Sequence, residues 1–160
     1  MAIEDAAARL GEVLKNKHAM LATAESCTGG GVAYAITAIP GSSHWFERGF
    51  VVYTNESKTE MLGVDASLIT KHGAVSEPVA RALAEGSLKH SHADYSLAIT
   101  GIAGPGGGTD EKPVGTVWFA WAGKNCDTLS RKYQFEGDRG QVRQQAIETA
   151  LRGMENLIRN

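Results

Sequence analysis

Stretches with the period of helices alternate along this chain with short apolar runs suited to strands, and that alternation constrains its fold most. Ile3, Ala6, Ala7, Leu10, Val13 and Leu14 recur at helical spacing, so residues 2–16 are predicted to form an amphipathic helix. His18 to Ala24 reads as a strand, and Val32 to Ile39 as a helix broken by Pro40-Gly41. Phe50-Val51-Val52-Tyr53 is β-rich, and residues 56–72 hold one or two short helices interrupted near Gly63. Ser76 is a plausible N-cap, with Pro78 in the first turn of a helix running to about His90. Tyr95 to Thr100 is a continuous apolar strand, Val114 to Ala122 a second, and Thr128 to Phe135 an alternating third. Asp138 then caps a long helix whose stripe is Val142, Ala146, Ala150, Leu151, Met154 and Leu157. The pattern predicts a three-layer α/β/α domain with a mixed β-sheet, residues 1–160 forming a single domain. No linker, repeat or low-complexity segment interrupts it.

Composition narrows the function classes. The chain has 160 residues, is 42% hydrophobic and 21% charged, and carries a net charge of −2. Those values predict a soluble globular protein, with no basic stripe for nucleic acid and no polybasic segment for a membrane surface. No run of 18 apolar residues suits a transmembrane helix. The opening MAIEDAAARLGEVLKNK has acids where a secretion signal has basic residues. Cys27 and Cys126 form neither a metal-spaced cluster nor a disulfide scaffold, and a reduced cytoplasm fits them best.

Four polar stretches fall at predicted strand ends or helix starts, where ligands collect in open α/β sheets. Gly101 to Gly108 holds five glycines in eight residues. Glycine lets backbone N–H groups approach a ligand closely, phosphate above all, although the run also suits a flexible connection. Arg139 and Arg143 are four apart and share one face at a helix start, where cations are unfavourable unless an anion binds. A solvated basic turn is the plainer reading. ESCTGG follows a strand and opens a helix, so its hydroxyls and N–H groups could hold a carboxamide or an oxyanion. Cys27 within it is a rival nucleophile, or simply a buried cysteine.

The last stretch is PGSSHWFERGFVVYTNESK, Pro40 to Lys58. A Pro-Gly turn presents Ser42 and Ser43. Tyr53 follows Ser43 by ten residues and Lys58 follows Tyr53 by five. A serine hydroxyl needs a base, and a lysine serves when burial lowers its pKa. Tyr53 and Lys58 can meet only if the strand ends between them, and Thr54-Asn55 offers that turn. Ser43 could equally be a helix N-cap. Trp45, Phe46 and Phe50 look exposed and hint at a homo-oligomer.

AESCTGG, IPGSSHWFERGFVVYTNESK, GAVSEP, ITGIAGPGGGTDEKPVGTVWFAW and FEGDRGQVRQQA together resemble the CinA C-terminal domain family, in the expected order and over nearly the whole chain. The length matches the family's free-standing form rather than the form with an added N-terminal nucleotide-processing domain. The resemblance implies hydrolysis of the carboxamide of nicotinamide mononucleotide to nicotinate mononucleotide and ammonia, in pyridine-nucleotide recycling, with no metal or cofactor. It also implies a serine nucleophile with a lysine and a tyrosine. Those roles are carried onto Ser43, Lys58 and Tyr53, with Ser42 as the neighbouring option. The substrate-binding residues expected with them are Ser26 and Thr28, lining the nicotinamide and ribose, and Ser42, whose backbone N–H with that of Ser43 would hold the oxyanion. Gly101, Gly104, Gly106 and Gly107, with Arg139 or Arg143, are expected to hold the phosphate. A silent nucleotide-binding regulatory module and an amidase using Cys27 are the alternatives.

Overall fold

The computed structural model describes residues 2–160. Its helices are α1 (Ala2–Asn16), α2 (Gly31–Thr37), α3 (Asn55–Leu62), α4 (Ala66–His72), α5 (Glu77–Lys89) and α6 (Arg139–Arg159). Its strands are β1 (Leu21–Glu25), β2 (Phe46–Val51), β3 (Tyr95–Gly101), β4 (Thr116–Gly123) and β5 (Cys126–Gln134). They form one sheet in the order β2-β1-β3-β4-β5. β1 runs parallel to both β2 and β3, and β4 is antiparallel to β3 and β5. The sheet is therefore mixed and the fold α/β, as the alternation predicts. No described helix is long and apolar enough to cross a membrane.

The two faces of the sheet are packed differently because strand residues alternate between them. Leu21, Leu97, Ile99, Val117, Phe119 and Trp121 meet α1, α2 and α6. On the other face Ala24, Ala98 and Ala120 lie side by side across β1, β3 and β4, so α5 can approach closely. Ser96 Oγ there donates to Ala84 O of α5 at 2.6 Å. Bulky residues on one face and small ones on the other make three layers from one sheet.

Two segments depart from the sequence reading. β2 begins at Phe46, four residues before the predicted β-rich run. Glu47, Arg48 and Gly49 hide it, yet Arg48 pairs with Ala22 of β1. An edge strand tolerates such charges because one side of it faces solvent. Trp45 is the second departure. It is 1% exposed, and its indole occupies the space that a side chain at Gly11 of α1 would need. It is a core residue and gives no support to self-association; Phe46 and Phe50 are half-buried.

The chain leaves β1 toward α2 on one face and leaves β2 toward α3 on the other. A crevice opens where neighbouring connections diverge at the carboxyl ends of strands.

Candidate active site

That crevice holds a cavity of about 310 Å³. Four segments build it: Ser26 and Cys27 after β1, Tyr53 to Lys58 after β2, Ala74 and Val75 before α5, and Thr100 to Gly107 after β3. Arg139, the first residue of α6, closes one side.

Lys58 is the most unusual group in it. Thr54 caps α3 by accepting Ser57 N–H at 3.1 Å, and this turn carries Lys58 inward. Lys58 is only 1% exposed, and among the described residues no carboxylate pairs with it. Its Nζ donates to Tyr53 O at 3.2 Å. Burial without an anion disfavours the charged form and holds the amine below the ordinary lysine range.

Ser26 sits directly beyond β1 and is 8% exposed. Its N–H continues the sheet ladder to Ile99 O at 3.2 Å, which fixes the backbone of the residue. Its hydroxyl makes no hydrogen bond to another described residue. Thr100, the cavity's other small hydroxyl, is committed to Ala74 O at 2.9 Å. Cys27 also lines the cavity, but burial pushes its thiol up to about 11. A thiol with that pKa is almost wholly protonated at neutral pH, so it is a poor nucleophile.

Gly104 and Gly107 have φ values of +88° and +90°, which favour glycine. The turns they make bring Gly101, Gly104, Gly106 and Gly107 to the cavity wall. Arg139 crosses the mouth, donating Nη1 to Gly104 O at 2.8 Å and Nη2 to the Tyr53 hydroxyl at 3.2 Å. Both acceptors are neutral, so the guanidinium keeps its full charge for an anion.

Several expected site residues are not part of this assembly. Ser42 and Ser43 belong to a short 3₁₀ turn, Ser42–His44, that precedes β2, whereas Tyr53 and Lys58 follow it. The six residues of β2 span about 17 Å at the usual rise, so the serines lie at the opposite end of the strand from the cavity. Ser42 N–H donates to Ile39 O, and Ser42 O accepts from Trp45 N–H. The pairing of Ser43 with Lys58 and Tyr53 is therefore not met. Thr28 is fully buried, and its hydroxyl donates to Glu25 Oε1 at 2.6 Å instead of facing the cavity. Arg143 does not line the cavity; it donates to Cys27 O at 3.1 Å and more weakly to Thr28 O at 3.4 Å. Asn55, Val75 and Thr100 line the cavity although motif reasoning passed over them. Asn55 is the recoverable one, since it starts the helix that delivers Lys58.

A buried amine, a lone serine and an arginine at the mouth of a mixed α/β sheet define a class of site suited to acyl transfer on an anionic substrate. The CinA C-terminal domain model matches residues 3–158, and the chain belongs to that family. It is 55% identical over 143 residues to nicotinamide-nucleotide amidohydrolase PncC of Escherichia coli strain K12, covering 89% of this chain and 87% of that protein. The Pseudomonas putida protein of the same name is 50% identical over 151 residues, 94% of each chain. Among solved structures, the competence/damage inducible protein CihA from Agrobacterium tumefaciens superposes with a TM-score of 0.96 at 42% identity, covering 100% of this chain and 97% of that one.

Proposed function

We propose that this chain is an amidohydrolase that converts nicotinamide mononucleotide and water to nicotinate mononucleotide and ammonia, returning pyridine nucleotide for reuse, with Ser26 rather than Ser43 as its nucleophile. The observation that carries this reading is the buried, unpaired Lys58 in the same cavity as the free Ser26 hydroxyl. The names of relatives at 50–55% identity support the substrate.

In this mechanism Ser26 Oγ attacks the carboxamide carbon as neutral Lys58 Nζ takes its proton. The tetrahedral intermediate collapses when that proton passes to the amide nitrogen, and ammonia leaves. Water then attacks the ester, Lys58 takes the water's proton, and Ser26 regains its own as the acid is released. Tyr53 assists by its carbonyl, which orients Lys58, and by its hydroxyl, which shares Arg139. The glycine turn and Arg139 receive the 5′-phosphate, the guanidinium fork matching its oxygens. Purified protein incubated with the mononucleotide should release ammonia, and Ser26→Ala should not. Activity retained by Ser26→Ala would refute the assignment.

A further inference from the structure

We propose that Arg143 is a positioning residue for acyl transfer, acting through the Cys27–Thr28 and Thr28–Gly29 peptide groups just beyond the nucleophile; this rests on the assignment of Ser26. Arg143 reaches from the second turn of α6 to the loop after β1, with Nε on Cys27 O at 3.1 Å and Nη2 on Thr28 O at 3.4 Å. Gly29 leaves room for it, since a Cβ there would stand 3.3 Å from Nη2. Glu25 holds the same loop from the other side. Its carboxylate accepts from the Thr28 hydroxyl, from Val32 N–H at 2.8 Å and from Ala33 N–H at 2.9 Å. The segment is thus gripped by a cation on its carbonyls and an anion on its donors. Neither charge meets an opposite charge among the described residues.

What this grip leaves over is informative. Gly29 N–H is spent on Ser26 O at 3.0 Å and Cys27 N–H lies against its own thiol sulfur, but Thr28 N–H donates to no acceptor among the described residues. Thr28 is fully buried, and a buried N–H group without a partner is rare. Within a planar trans peptide the N–H points opposite to the carbonyl. Holding Cys27 C=O on Arg143 therefore fixes the direction of the Thr28 N–H, and the guanidinium charge polarises that peptide into a stronger donor. Attack on an amide places negative charge on its oxygen, which needs fixed donors of this kind beside the nucleophile. Arg143 prepares the Thr28 N–H without touching the substrate.

The test is steady-state kinetics of Arg143→Lys, Arg143→Gln and Arg143→Ala on the mononucleotide and on its phosphate-free riboside, beside Ser26→Ala. Removing a prepared donor costs about 10²–10³-fold in kcat, so kcat should fall by that order for both substrates while KM moves less than about threefold. Added guanidinium ion should restore part of the kcat of Arg143→Ala. Lysine should rescue poorly, because it lacks the two-pronged fork. If Arg143→Ala does not fold, Arg143→Lys and Arg143→Gln decide the matter. A loss confined to KM for the mononucleotide would make Arg143 a phosphate ligand and overturn the proposal. Unchanged kcat would overturn it too, as would a loss tracking thermal stability that guanidinium leaves untouched. Activity in Ser26→Ala would instead remove the nucleophile assignment, whatever Arg143 does.

Discussion

The two ends of the β1–β2 pair carry similar sequence and have different physical characters. At the amino end, Ser42–His44 forms a short 3₁₀ turn, and Trp45 seals α1 against the sheet. At the carboxyl end, Ser26 shares a cavity with Arg139 and with Lys58, which is buried without a counter-charge among the described residues. A serine turn is thus structural where it only shapes the chain and chemical where a buried amine shares its cavity. The buried amine beside it, not the serine itself, separates the two ends.

The largest expected effect separates the serines. Ser26→Ala should lose roughly 10⁴–10⁶-fold in kcat, as removal of a nucleophile does, while Ser43→Ala should stay within about twofold. Equal losses would erase the distinction between the ends. Lys58→Arg comes next, with a loss of about 10²–10⁴-fold, because an arginine cannot act as a base. The parent's activity should rise with pH through an apparent pKa below the ordinary lysine range, in the direction that burial moves Lys58. An arginine variant with near-normal turnover would reduce Lys58 to a structural cation.

Trp45→Ala tests the amino end from the opposite side. Truncating a fully buried tryptophan costs about 3–5 kcal/mol of stability. Denaturant unfolding should report that loss, while kcat/KM of the folded fraction stays close to normal. A smaller effect is expected at the cavity mouth. Charge-assisted hydrogen bonds contribute on the order of 1.5–3 kcal/mol each, so Arg139→Ala should lower kcat/KM for the mononucleotide about ten- to a hundredfold and leave the riboside almost unaffected. Equal losses on both substrates would take the phosphate away from Arg139.

The smallest effect concerns stability. The folded-state pKa of Lys58 lies below its unfolded value, so between the two the unfolded chain binds more protons and stability rises with pH. Lys58→Met should therefore unfold at a higher temperature than the parent at neutral pH. The gap should narrow as the pH rises through the depressed pKa. A constant gap would mean that Lys58 is not buried as a strained cation.

Much of this was legible in the sequence, and the failures have identifiable causes. The periods of α1 and α6, the apolar run of β3 and the alternation of β5 mark these elements because packing on one face or both dictates their side chains. Lys58, Tyr53, the glycine turn and Arg139 were legible as polar groups beside strand ends. The separation of Ser43 from Lys58 traces to β2. The predicted run starts at Phe50; with Glu47, Arg48 and Gly49 added to it in the edge strand, Ser43 cannot fold back onto Lys58. Arg143 was correctly placed on the face it shares with Arg139, but one helical turn, about 5.4 Å, is enough to exchange the cavity for the loop behind it. Thr28 failed because no periodicity reveals that a neighbouring carboxylate, Glu25, has claimed its hydroxyl.

The central claim is that Ser26 becomes acylated, and mass spectrometry of the protein quenched during turnover of the mononucleotide tests it most directly. Ser26 and Ser43 fall in one tryptic peptide, His18–Arg48, so fragmentation of that peptide must locate the adduct. The account predicts the nicotinate mononucleotide acyl group on Ser26. An acyl group on Ser43 or on Cys27 would contradict it.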